Sequence, residues 1–525
     1  MKYLVWFALA FAFVTHIVIP WHNVFQSSVV LATPDAYSML YCADNGIYSW
    51  EGGVGFFAAV IVAFGQMFHL SNVVSEAVLP PILFFLTLIP LYLIAKTIFN
   101  KTVAVGALVI YCLLPGELLE RTKLGAGDYH CWEIFIFTAV MMFVVLAIKS
   151  QYWRRYLCIF GAVFMLSIYQ LALLKVILAP LIIIAAIGLF AFLKVKGWLW
   201  RVGAVVLCLV GVMVAYLVFP VLFGQALSLV TFNLTATTNE MMPLFFTAGQ
   251  FDTWVTAWNY FGAVFFFSLF GLGWLIYRTF KHQQPLDVLF LVWTLAMLWL
   301  TIVMRRSAFY YATNIAILTS IVVYEYGKYW VKNKERLIKY AIVIGLIVCA
   351  PLMTISVRAA NEYGYAPSKD WQETCQWLAT QPEGSVFTEW SYGYWVMAIG
   401  KHPATSPGGG AVLLQQQIAV SDNLTWAADE LKKENVRYII IDKVMIEDNL
   451  DLVIQETGSG IDKERTFIFQ LYYPYEKDSL FKLVHWQGDV KVFEIIPDPF
   501  PLNLEYEKTL YQNMMRLNEI IRNMD

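Results

Sequence analysis

Apolar runs long enough to cross a bilayer core of roughly 30 Å recur along the first two thirds of the chain. They cover 3–20, 77–95, 102–115, 132–149, 155–171, 175–194, 199–222, 254–278, 286–304, 308–328 and 338–356. The first run has no small-residue cleavage site behind it, so it reads as a retained helix and not a signal peptide. After residue 356 the pattern changes to polar, charged and aromatic stretches. Strand-like runs stand at 437–442, 466–472 and 490–496, and helical patterns at 369–380, 424–434 and 504–523. The expected architecture is a polytopic α-helical membrane domain over 1–356 with 11–13 spans, followed by a mixed α/β domain over 357–525.

Composition agrees. The chain has 525 residues, 59% hydrophobic and only 14% charged, with a mean hydropathy of +0.61. A soluble domain carries about a quarter charged residues, so this is an integral membrane protein. A net charge of −2 with no basic tail gives no reason to expect nucleic acid. The seven cysteines show no CxxC pair and read as small buried hydrophobes; a Cys42–Cys131 bridge is not expected.

Charge sets the orientation. Lys and Arg gather at Lys96 and Lys101, Lys149 to Arg155, Lys194 to Arg201, Arg278 to Lys281 and Lys328 to Lys339, while loops 21–52 and 224–252 have none. The positive-inside rule places those two loops, and the C-terminal domain, outside the cytoplasm. Residues 54–69 could form another span, but crossing there would break this sidedness. They read as an interfacial or re-entrant segment.

Ionisable residues near apolar spans are costly and therefore functional suspects. Loop 21–52 carries Asp35 and Asp44, loop 116–131 carries Asp128 and His130 with Glu133 just beyond, and loop 224–252 carries Glu240. Asp128 and His130 are two apart, so regular backbone would point them to different faces. The "GAGD" stretch supplies the freedom for them to converge. Carboxylate and imidazole ligands suit Mg²⁺ or Mn²⁺, the nitrogen favouring Mn²⁺.

Together these segments resemble the catalytic subunit of oligosaccharyltransferase, a membrane glycosyltransferase family of GT-C type. Pro34-Asp35-Ala36-Tyr37 matches its first-loop "DPY"-type motif, and Arg121-Thr122 through Asp128-Tyr129-His130 matches the second-loop motif. Thr237-Thr238-Asn239-Glu240 matches "T-I/V-x-E", and "MRRSAFYY" with Arg305 and Arg306 matches an arginine beside an aromatic-rich span. "DWQETCQWLATQPEGSVFTEWSYGYW" matches the helix and "W-W-D-Y-G" signature that open the soluble domain.

The resemblance implies glycan transfer from a polyprenyl or dolichyl (pyro)phosphate carrier to asparagine of an acceptor polypeptide. Asp35, Asp128 and His130 would hold the cation, and Arg305 or Arg306 the carrier phosphate. Asp35 and Glu240 would accept hydrogen bonds from the acceptor amide, weakening its resonance. In the signature, Glu389, Trp390, Ser391, Tyr392 and Gly393 would bind the acceptor Ser or Thr. Here the first tryptophan has become Glu389 and the aspartate Ser391, which bears on Asn-x-Ser/Thr recognition. The rival reading is a GT-C enzyme with the same kind of donor and a non-asparagine acceptor. A transporter fits less well, because the ionisable residues lie in loops and not mid-span.

Overall fold

The computed structural model describes residues 2–26, 28–48, 53–170, 178–194, 243–247, 250–251, 254–330, 339, 343–363, 366–405, 412–473 and 480–496. Contacts divide the chain into two units, Met1–Leu31 with Cys42–Gly364, and Ala32–Tyr41 with Tyr365–Asp525.

The first unit is helical. Among the described residues five helices are long and apolar enough to cross a membrane: Lys2–Val24, Asn72–Ile98, His130–Lys149, Pro285–Val303 and Arg305–Lys328. The apolar run at 254–278 is built as two helices, Val255–Phe261 and Val264–His282, bent by 86°. The break is at Gly262, whose φ of +57° ends the first helix. Shorter apolar helices occupy Gly55–Phe68, Lys101–Leu113, Leu181–Phe190 and Ile347–Asn361. The expected span at 199–222 and the expected helix at 504–523 lie outside the described residues.

Lipid is as apolar as leucine, so this unit is held by close packing and internal hydrogen bonds. Its core gathers Tyr111, Phe137, Phe265, Phe290, Trp293 and Tyr311. Small residues let helices meet: the Ser320 hydroxyl donates to the Val103 carbonyl at 2.8 Å, beside Gly106.

In the second unit a four-stranded sheet has the order β3-β4-β6-β5. Here β3 is Ser385–Phe387, β4 Val436–Asp442, β5 Phe481–Gln487 and β6 Val490–Ile495, with β1 (Phe246–Thr247) and β2 (Gln250–Phe251) forming a separate hairpin in the first unit. The β3–β4 pair is parallel and the others antiparallel. The strands expected at 437–442 and 490–496 are present, whereas 466–472 is the helix Phe467–Tyr472. Its buried positions, Phe467, Ile468, Leu471 and Tyr472, repeat at helical spacing and not in alternation. They close the sheet core with Phe387, Ile439, Ile441 and Phe493.

Candidate active site

Two prolines shape the loop that carries Asp128. Proline has no N–H, so each one inside a helix frees the carbonyl four residues earlier. Pro20 frees the carbonyl of His16, which accepts the Leu124 N–H at 2.8 Å. Pro81 frees that of Ala77, which accepts the Gly125 N–H at 2.9 Å. Two adjacent loop amides thus complete two broken helix ladders. Buried Lys123 adds a third tie, its ammonium donating to the carbonyls of Ala359 (2.9 Å) and Glu362 (2.5 Å) at the end of helix Ala350–Asn361. Gly125 has φ +77°, and a Cβ there would lie 2.5 Å from Val24 Cγ2. Gly125→Ala is therefore expected to destabilise the first unit by about 1–3 kcal/mol, read as a lower midpoint of thermal unfolding; an unchanged midpoint would refute this account of the loop.

The irregular backbone does what the sequence requires. Asp128 precedes the helix His130–Lys149, and its Oδ1 accepts the His130 N–H at 2.9 Å. The other oxygen, Oδ2, pairs with the Arg121 guanidinium. Arg121 also donates to Glu117 at 3.0 Å, and the Tyr260 hydroxyl donates to Glu117 at 3.2 Å. Asp128 and His130 are fully buried, and Asp128 Oδ1 stands 4.0 Å from His130 Nε2. Burial alone would raise the pKa of Asp128, but the Arg121 and Arg306 guanidiniums and the His130 backbone N–H hold it below the usual carboxylate value.

The structure separates the two arginines of the turn Arg305–Ser307. Buried Arg305 donates to the Pro243 carbonyl at 3.1 Å. Arg306 turns to His130 instead, with Nη2 2.5 Å and Nε 3.0 Å from Nε2, and Nη2 3.5 Å from the Tyr129 hydroxyl. Guanidinium only donates, so His130 Nε2 is the accepting nitrogen. The proton then lies on Nδ1, which donates to Glu133 at 2.5 Å. That is the tautomer in which a histidine binds a metal through Nε2 with a carboxylate behind it. Asp128 and His130 thus have the chemistry of a cation-binding pair, with the Arg306 guanidinium against the nitrogen.

The other expected residues fall elsewhere. Asp35 belongs to the second unit, in the first turn of helix Pro34–Asp44, where Thr33 Oγ1 accepts the Ala36 N–H at 3.3 Å. Glu240 lies outside the described residues. Among the described residues no three His, Cys, Asp and Glu side chains group as a metal site. Of the three expected ligands, Asp128 and His130 lie together in the first unit, and Asp35 belongs to the second. Cys42 and Cys131 are free thiols.

In the second unit the signature forms a turn after β3. The Glu389 carboxylate accepts both the N–H (3.2 Å) and the hydroxyl of Ser391. Trp390 follows in the same turn, and Gly393 begins the helix Gly393–Ala398. Tyr392 stacks on Trp395, centroids 4.5 Å apart, and meets Trp371 edge-on at 5.0 Å. Trp371 Nε1 donates to Asp442 at 2.7 Å, whose other oxygen accepts the Met445 N–H at 2.8 Å. Asp442 was not singled out from the sequence; a charged residue ending the apolar strand "RYIIID" was the available signal.

Burial raises the pKa of both Glu389 and Asp442; the charge of Asp442 adds to the shift of Glu389, and those of Asp489 and Asp448 add to that of Asp442. An acid raised in the folded state stabilises the fold fully below its unfolded value, about 4, and loses that contribution as pH rises through the raised folded value. The second unit should thus resist heat better as pH falls from neutral toward 5, and less steeply so in Glu389→Gln. A midpoint indifferent to pH in both proteins would contradict this.

No family model matches the sequence. A curated relative, dolichyl-phosphooligosaccharide-protein glycotransferase 3 of Archaeoglobus fulgidus, is 20% identical over 93% of this chain and 74% of its own length. The solved oligosaccharyltransferase AglB of the same organism, in complex with an inhibitory peptide and a dolichol-phosphate, superposes with a TM-score of 0.81 at 16% identity, covering 97% of this chain and 80% of that one. An A. fulgidus oligosaccharyltransferase complex with Zn and sulfate gives 0.71 at 18% identity, over 92% and 79%.

Proposed function

We propose that this chain, which belongs to the oligosaccharyltransferase catalytic-subunit family and is a membrane glycosyltransferase of GT-C type, moves a glycan from a dolichyl or polyprenyl (pyro)phosphate carrier to asparagine of acceptor polypeptides. The observation that carries the reading is the buried cluster of Asp128, His130 and Arg306. A leaving phosphate develops negative charge, and fixed cations aimed at that charge lower the barrier. Arg306 offers a planar fork of donors suited to phosphate oxygens.

A divalent cation, Mn²⁺ or Mg²⁺, would be held by Asp128 Oδ1 and His130 Nε2. It would supply Lewis-acid stabilisation of the departing phosphate. The Nε2 lone pair serves either Arg306 or a metal, not both, so loading with metal requires the guanidinium to leave it. The resemblance adds Asp35 as a further ligand and gives Asp35 and Glu240 the acceptor amide.

Acceptor recognition falls to the Glu389–Gly393 turn, on the extracytoplasmic side by the charge rule. Glu389 supplies a half-buried carboxylate beside the position where the family has aspartate, and it engages Ser391. The rival reading, a non-asparagine acceptor, draws on these same two departures. Purified chain in bilayers, given a lipid-linked oligosaccharide with either an Asn-x-Thr or a Gln-x-Thr peptide, separates the two. Glycopeptide from the asparagine peptide alone supports the proposal. Donor consumption with neither peptide modified supports the rival.

A further inference from the structure

We infer that Glu133, braced by Tyr310, is a positioning residue that fixes the tautomer of His130. Glu133 stands three residues after His130 on the helix His130–Lys149, so the two side chains share one face. Its Oε2 lies 2.5 Å from His130 Nδ1 and accepts the Tyr310 hydroxyl at 2.8 Å, and all three side chains are buried. A carboxylate accepts, so Glu133 draws the imidazole proton to Nδ1. On the opposite edge Arg306 only donates, so it demands a lone pair on Nε2. Acceptor behind and donor in front select one tautomer.

The consequence reaches the reaction centre. The other neutral tautomer would aim an Nε2–H at the Arg306 guanidinium, donor against donor, and would turn no lone pair toward the Asp128 side. Glu133 thus acts through His130 on whichever cation sits there. Tyr310 completes the arrangement from the helix Ala308–Trp330, holding the carboxylate oxygen in place. The sequence sets Glu133 one turn past His130 but gives no sign of the tyrosine, which comes from another helix.

The inference rests on the proposed function only in placing His130 at the reaction centre, and its test reads the proton directly. The full chain in bilayers, labelled with ¹⁵N-histidine, carries seven histidines, and the His130 signal is identified by its loss in His130→Gln. Wild type is expected to be protonated at Nδ1. Glu133→Gln, whose amide oxygen still accepts, should keep that state, while Glu133→Leu combined with Arg306→Gln, which removes the opposing donor from Nε2, shifts the proton wholly or partly to Nε2. In turnover Glu133→Leu should lose about 10–100-fold in kcat with the acceptor KM little changed, and Glu133→Gln should recover most of it. Should Glu133→Leu fail to fold, Tyr310→Phe is read the same way, with a smaller shift in the same direction. Protonation at Nε2 in wild type, or an unaltered tautomer in Glu133→Leu combined with Arg306→Gln, overturns the inference. If the tautomers behave as stated but wild type transfers no glycan, the proposed function falls and the positioning role stands.

Discussion

Arg306→Gln is expected to lower glycan transfer by about 10²- to 10³-fold, the cost of removing one fixed donor aimed at developing negative charge. The loss should appear mainly in kcat, because charge on the phosphate grows as the glycan departs. Arg306→Lys keeps the charge but not the planar fork and should fall between. Arg305→Gln offers the contrast, since Arg305 spends its Nε–H on the Pro243 carbonyl. Its effect should come through the 224–252 loop, as a weaker acceptor KM or a lower unfolding midpoint. A second reading of Arg306→Gln bears on metal: with the guanidinium gone from His130 Nε2, the variant should bind Mn²⁺ at least as tightly as wild type. Equal transfer rates for Arg306→Gln and wild type would remove Arg306 from the reaction.

Asp128→Ala should do more damage, by two routes. It takes away the carboxylate that accepts from Arg121 and from the His130 amide, leaving a buried guanidinium without that partner. Breaking a buried ion pair from one side costs about 3–5 kcal/mol, so the unfolding midpoint should drop clearly. It also strips the oxygen facing His130 Nε2, so transfer should fall to background even in protein that remains folded. Asp128→Asn separates the routes. The amide keeps the shape and can still accept the His130 N–H, so most of the fold should survive while transfer falls at least 100-fold, on the scale of lost electrostatic stabilisation. Full activity in Asp128→Asn would show that its charge is not used.

Much of this was legible in the sequence, for definable reasons. Membrane spans announce themselves because every backbone polar group in lipid must be satisfied internally, which demands long apolar helices. The convergence of Asp128 and His130 followed from glycine freedom in "GAGD", and the structure brings them to 4.0 Å. The bend at Gly262 leaves no mark in the sequence, because hydropathy reads through a single glycine without interruption. At 466–472 the aromatic and β-branched composition suggested a strand, yet the buried positions follow helical spacing. Composition outweighed period there, and period was the better guide.

The partners of the site were harder to read, since they come from distant segments. Arg306 is 176 residues from His130 and Tyr310 is 177 from Glu133, and no local pattern encodes such pairings. Pro20 and Pro81 did leave a trace. A proline inside an apolar run implies a carbonyl in search of a donor, and here the donors are two consecutive loop amides.

The most direct test is glycopeptide formation by full-length chain in bilayers, with a polyprenyl-linked oligosaccharide and a labelled Asn-x-Thr peptide, wild type beside Asp128→Asn at matched folded fraction. The account predicts glycopeptide from wild type and at least 100-fold less from the variant. Equal yields from the two proteins, or glycopeptide from neither, would contradict it.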